Sequence, residues 1–223
     1  MNDSDRLINR ILDMINLQQF SESNELLLLE NAGSEDSEVR TLVAESLSNY
    51  SDKRAFNALS ELAHDECADV RAESAMSLGA FAAEESFHIL LKLADDADVT
   101  VSGTAIRSMA LVAEKSKFRQ AAVHKIKAIH DFTSDEWLQF MCTTSLYILG
   151  VDCKTKVLKG LTSPDYHIRD IAVNLISENM HDFCRVSELK TFLFDAVFIE
   201  TVEWLKDKMV ELINKIDGVS VDT

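Results

Sequence analysis

Apolar positions recur along this chain at fixed offsets. Val70, Ala75 and Leu78 stand at offsets zero, five and eight, which fall on one face of an α-helix. Val39, Ala44 and Leu47 repeat the stripe, as do Val101, Ile106 and Met109, then Leu138, Thr143 and Leu146, then Ile168, Val173 and Ile176. The leading positions lie 31, 31, 37 and 30 residues apart. That period holds two helices and their turns, so the pattern predicts one helix pair per repeat. Second stripes fall between the first: Ala55, Leu59 and Leu62; Phe87, Leu90, Leu91 and Ala94; Val123, Ile126 and Ile129.

The ends differ from the middle. Leu7, Ile8, Ile11, Leu12 and Ile15 precede the run Leu26 to Leu29, and Phe192, Phe194, Phe198 and Trp204 make the other end aromatic. A stack of repeats needs terminal units that close its core and show a polar outer face. The expected layout is one domain over 1–223: capping helices over 1–34, repeats over 35–180, capping helices over 181–223. Helix starts are expected at Ser37-Glu38, Ser51-Asp52, Thr133-Ser134-Asp135-Glu136 (capping-box spacing) and Ser163-Pro164-Asp165. One proline and six glycines in 223 residues are too few for an all-β fold or a glycine-rich phosphate loop.

The motif Asp69-Val70-Arg71 with Ala75, Leu78 and Gly79, its copies Glu38-Val39-Arg40 with Ala44 and Leu47, and Ile168-Arg169 with Ala172 and Val173 resemble HEAT-like repeats of the phycobilisome-lyase type. The resemblance spans roughly 35 to 180. It implies an all-α fold, a right-handed α-α superhelix of the HEAT-like or armadillo type with about six helix pairs. It also implies that each arginine reaches an acid in a neighbouring turn, forming a ladder. Ser102 and Gln139 stand where arginine is expected, so the ladder should break in the middle. Relatives of this kind include adaptors, lyases, hydroxylases and glycosylases, so the resemblance fixes the fold and leaves function open.

Charge narrows the partners. The net charge is −16, of which residues 1–110 carry −13. Such a surface repels DNA, RNA and anionic lipid and attracts basic protein. No apolar run spans a membrane, and Met1 to Asp5 lacks the features of a secretion signal, which leads to the expectation of a cytoplasmic protein. The four cysteines form no C-x-x-C pair and are read as reduced, mostly packed thiols.

Catalytic signals are weak. There is no G-x-S-x-G elbow, and the six histidines form no His-Glu dipeptide of the kind that binds di-iron in HEAT-like hydroxylases. His64, Asp65, Glu66, Cys67 and Asp69 look ligand-rich, but they occupy a repeat turn and are read as turn chemistry. No catalytic residue, metal or cofactor is assigned. The basic stretch Lys115, Lys117, Arg119, Lys125 and Lys127 reads as a solvated helix face.

The chain is therefore read as a binder and not an enzyme. Positions six beyond each leading residue lie opposite the buried stripe, on the side where such solenoids usually bind: Glu45, Met76, Arg107, Thr144 and Asn174. Asn49, Glu73 and Tyr147 lie on nearby turns. Acidic turns recur as Glu35-Asp36, Asp65-Glu66 with Asp69, and Asp95-Asp96 with Asp98. Asp69 and Asp98 are assigned to capping and to the arginines, leaving Glu35, Glu66, Asp95 and Asp96, with nearby Glu84 and Glu85, as surplus for a partner. The expected partner is a basic protein, in the sharpest version a nuclease toxin neutralised by an immunity protein. The alternatives are an adaptor or chaperone-like scaffold and a bilin-lyase-like enzyme. A monomer is the expected state.

Overall fold

The computed structural model describes residues 3–81, 84–186 and 188–218, and these residues form helices and turns with no strand. Two compact units are present, one running to Thr133 and one beginning at Ser134. The first holds α1 (Asp3–Asn16), α2 (Glu22–Asn31), α3 (Ser37–Leu47), α4 (Lys53–Leu62), α5 (Ala68–Ala80), α6 (Glu84–Leu93), α7 (Val99–Ala113) and α8 (Arg119–Phe132). Here α1, α3, α5 and α7 pack side by side in a row, and α2, α4, α6 and α8 lie against it. The second unit holds α9 (Glu136–Ile148), α10 (Lys154–Gly160), α11 (Tyr166–Glu178), the single turn α12 (Met180–Phe183), α13 (Leu189–Ile199) and α14 (Glu203–Gly218). Its core runs from Phe140 through Ile168 and Phe183 to Ile216.

The repeated stripe is the core. Val39, Val70, Val101, Ala44, Ala75, Ile106, Leu47, Leu78 and Met109 are all fully buried. Small residues set the spacing within the row. A Cβ on Gly79 would lie 3.0 Å from the Ser108 Cβ, so α5 and α7 approach more closely than a larger side chain allows. Ser77 donates to the Ala44 carbonyl of α3 at 2.9 Å. No helix among the described residues is long and apolar enough to cross a membrane.

Aspartates start these helices, where the sequence pointed to Ser and Thr at several of them. Asp36, Asp52, Asp98, Asp135 and Asp165 are the N-caps of α3, α4, α7, α9 and α11, each accepting a backbone N–H. A carboxylate meets the helix N-terminus with full negative charge, which a hydroxyl lacks. The hydroxyls act two residues earlier: Ser34 and Ser163 accept the N–H groups of Asp36 and Asp165.

An arginine ladder joins consecutive repeats. Arg40 grips Asp65 with two hydrogen bonds of 2.7 and 2.8 Å, and Arg71 grips Asp96 at 2.8 and 3.0 Å. In each case the third guanidinium nitrogen donates to two carbonyls of the arginine's own turn, Ser34 and Glu35 or Asp65 and Glu66. The carboxylate is fixed from its other side as well, because Asp65 accepts the Cys67 N–H and Asp96 the Asp98 N–H. Arg169 repeats the arrangement in the second unit, with Glu200 at 2.6 and 2.9 Å and the carbonyls of Ser163 and Pro164. At Ser102 the ladder stops, and the Ser102 hydroxyl donates to the Ala94 carbonyl. The ladder acids are therefore Asp65 and Asp96, not Asp69 and Asp98.

The arginines hold the carboxyls of Asp65, Asp96 and Glu200 below their usual range, chiefly through these hydrogen bonds. A depressed carboxyl stabilises the fold above its unfolded pKa and loses that contribution as pH falls through its folded pKa. Arg71→Ala leaves a largely buried carboxylate uncompensated and should lower unfolding stability at pH 7 by about 2–4 kcal/mol. The deficit should shrink below about pH 4, where Asp96 protonates without its partner. Denaturant unfolding at both pH values measures this, and an equal deficit at each contradicts the assigned pair.

Candidate functional site

The 31-residue register aligns one outward row of side chains across α3, α5 and α7. Leu42 corresponds to Glu73 and Thr104, and Glu45 to Met76 and Arg107. Between α3 and α5 this row forms a depression of about 470 Å³, lined by Glu45, Ser48, Glu73, Met76, Ser77 and Ala80. A second, of about 320 Å³, lies toward the N-terminal ends of the same helices and is lined by Ser37, Glu38, Thr41, Leu42 and Asp69. The trough thus gathers Glu38, Glu45, Asp69 and Glu73, with no lysine or arginine on its lining.

Glu73 is the most distinctive group in it. It is half-buried and makes no hydrogen bond or ion pair among the described residues. Burial pushes its carboxyl up to about 6, and the neighbouring Glu45 carboxylate pushes in the same direction. Beside the pair, Met76 is 55% exposed and offers a polarisable apolar surface. Two carboxylates short of a cation, next to a flexible thioether, suit the ammonium or guanidinium of a long basic side chain whose stem packs on Met76.

The remaining expected contact residues fall in different settings. Arg107 is half-buried on α7, and Asn49 is exposed with its amide donating to the Ser46 carbonyl. Glu66 is exposed, 3.9 Å from Arg40. Asp95 is paired with Lys125 of α8, and Asp96 is the ladder partner of Arg71, so neither is surplus acid free for a partner. In the second unit, Thr144 is fully buried and donates to the Met141 carbonyl, because α9 is buried all round from Phe140 to Leu146. It offers nothing to a partner. Tyr147 packs on Phe183 and its hydroxyl donates to Asp182, while Asn174 accepts from Lys208. Structure therefore brings Glu45, Glu73 and Met76 together, engages Asp95, Asp96, Thr144, Tyr147 and Asn174 locally, and leaves Asn49, Glu66 and Arg107 outside the lining of the trough. Ser48, Ala80, Thr41, Leu42 and Asp69 were not anticipated as lining. The same register, stepped by one helical turn, points to them.

The basic stretch is also partly engaged internally, with Lys117 on Glu84 at 2.8 Å and Lys125 on Asp95. Among the described residues no group of three or more His, Cys, Asp or Glu is arranged to hold a metal ion. The four cysteines are free thiols. Cys142 and Cys153 are buried, Cys67 is half-buried and Cys184 is exposed. Burial alone pushes the Cys142 thiol up to about 12.

Comparison with known proteins agrees with the helix-pair architecture. Residues 25–110 match the family model for HEAT repeats. No curated protein matches the chain. Among solved structures, a chain from the complex of CpcE and CpcF of phycocyanin lyase from Nostoc sp. PCC7120 is similar at 15% identity and a TM-score of 0.49, over 89% of this chain and 98% of that one. An archaeal HEAT-like repeats protein from Thermococcus onnurineus NA1 is similar at 15% identity and a TM-score of 0.45, over 98% of each chain. An engineered protein is similar at 16% identity and a TM-score of 0.46, over 87% of this chain and 97% of that one. The chain is an all-α fold of helix pairs that is similar to HEAT repeats over residues 25–110.

A carboxyl raised by burial opposes folding once ionised, so its effect appears above its unfolded pKa and is full above its folded one. Glu73→Gln should raise the melting temperature at pH 8 by about 1–3 °C and have little effect at pH 4. Carbon-detected NMR of the wild-type side chain should show a midpoint near 6, moving down in Glu45→Gln. A midpoint in the ordinary glutamate range contradicts the trough geometry.

Proposed function

We propose that this solenoid is a protein-binding module that takes a basic segment of a partner protein in the trough between α3 and α5. The observation that carries the reading is the Glu45–Glu73 pair, two neighbouring carboxylates without a cation beside exposed Met76. A folded protein gains nothing in stability from holding a partly desolvated carboxylate next to another. Sites that break a local rule at a cost are where function is expected. A lysine or arginine entering the trough relieves the repulsion. The rest of the contact is helix surface, which suits recognition of a chain better than a small molecule, since neither depression is enclosed.

The net charge of −16 extends this reading to the approach of the partner. A strongly acidic surface speeds encounter with a basic one and makes binding sensitive to salt. Neutralisation of a basic nuclease toxin is the form of this function in which both properties matter most. An adaptor or scaffold role uses the same trough with less dependence on charge. Both are binding roles and need no catalytic group.

Capture from the native host at low salt, with the full chain as bait, should recover a basic protein. Raising the salt from about 0.05 to 0.5 M should weaken the complex tenfold or more. Glu45→Gln with Glu73→Gln should weaken it by a similar factor while melting as the wild type does or higher. Affinity should also fall as pH drops through about 6, because Glu73 then loses the charge that the partner meets. A partner whose binding is indifferent to salt and to both glutamates refutes this reading and leaves the scaffold role.

A further inference from the structure

The last two long helices leave an apolar ridge uncovered. α13 turns Leu189, Leu193 and Ala196 into the core of its unit. The opposite side of the helix carries Thr191, Phe194, Asp195 and Phe198. Phe194 and Phe198 stand one turn apart and are 57% and 88% exposed. Residues four apart on a helix lie side by side, so the two rings form one ridge. Ile199, Trp204 and Val210 are exposed on the same helix pair.

Three exposed acids lie on the same two helices as the ridge. Asp195 lies between the two phenylalanines, and Glu203 and Asp207 are exposed at the start of α14, which packs on α13. None of these three acids forms an ion pair among the described residues. Of the four lysines on these two helices, Lys208 reaches Asp170 at 2.8 Å and lies over the Trp204 ring, Lys215 reaches Glu211, Lys190 stands one turn before Phe194, and Lys206 adjoins Asp207.

We infer that the outward face of α13 and α14 docks a cationic amphipathic helix of a partner protein. Two apolar side chains on adjacent turns of that helix pack on Phe194 and Phe198, and flanking lysines or arginines meet Asp195, Glu203 and Asp207. A second copy of this chain fits less well. It carries a net charge of −16, and two lysines of its basic stretch are held by Glu84 and Asp95. The surface lies in the second unit and does not depend on the trough between α3 and α5.

The test uses the full chain and a synthetic helix of about five turns built from leucine and lysine with one apolar face. Controls are a scrambled peptide of the same composition and a leucine–glutamate counterpart. Fluorescence anisotropy at physiological salt should show the amphipathic cationic peptide binding about tenfold more tightly than either control. Phe194→Ala with Phe198→Ala should weaken it about tenfold or more. Asp195→Lys with Asp207→Lys should weaken it about fivefold. Both double variants alter exposed side chains and should melt as the wild type does. Glu45→Gln with Glu73→Gln should leave the preference for the amphipathic over the scrambled peptide unchanged, which separates the two surfaces. Equal binding of the scrambled peptide, or no effect of the phenylalanines, overturns the inference. So does a wild-type dimer in sedimentation that the phenylalanine variant dissolves. Binding to anionic phospholipid vesicles through the same phenylalanines, without binding to the peptide, overturns it as well.

Discussion

Each ladder arginine has to satisfy two places at once. Its Nη1 is committed to carbonyls five and six residues before it, which closes the turn that leads into its own helix. Its Nε and Nη2 are committed to a carboxylate 25 residues after it, which itself accepts an N–H of the next turn. A fork with fixed geometry joined to two turns leaves little freedom in how consecutive helix pairs stack. That constraint makes the 31-residue register a spatial one. It sets Glu45 on α3 and Glu73 and Met76 on α5 across a shared trough. Without the arginine the same apolar stripes still bury and Ser77 still reaches the Ala44 carbonyl, but no charged fork fixes the relative rotation of the helix pairs.

The chain records this coupling in its own residues. Arg40 is followed by Asp65 and Arg71 by Asp96, whereas Ser102 is followed by Thr133 and Gln139 by Ser163 at the corresponding turn positions. Where the guanidinium is present the turn supplies a carboxylate, and where it is absent a hydroxyl suffices. Ser163 shows what the hydroxyl does, accepting the Asp165 N–H and donating to Glu136. A buried carboxylate without its arginine would be costly, so the two residue types change together. Arg169 restores the pair with Glu200, 31 residues on, where the longer glutamate reaches the same two-pronged contact.

Periodicity made the helix pairs and their buried stripes legible, including the weak copy at Leu138, Thr143 and Leu146, all of which are buried. What it could not supply was which acid of a cluster does which task. Asp95, Asp96 and Asp98 lie within four positions, and one pairs with a lysine, one with the ladder arginine, and one caps a helix. Only the three-dimensional direction of each side chain separates those roles. Thr144 failed for a different reason. The offset of six marks an open face only when the helix has one, and Phe140 to Leu146 contains no charged residue. That local run was the better guide, because a helix apolar on every side is buried on every side.

Acidic composition by itself did not locate a binding surface, since capping and the ladder absorb many of the carboxylates. Asp36, Asp52, Asp98, Asp135 and Asp165 hold helix starts, and Asp65, Asp96 and Glu200 hold arginines. These acids are fixed by internal partners and are poor candidates for contact. The informative ones are those whose position gives the fold no return. Glu73 is pushed toward neutrality by its surroundings, and Asp195 sits between two phenylalanines exposed to water. Glu73 is unfavourably placed in the isolated chain, and the partner proposed for each place, a cation with an apolar stem or face, would meet both the charge and the apolar surface. Solubility explains a negative surface in general, but it does not explain pairing that negative charge with exposed methionine or phenylalanine.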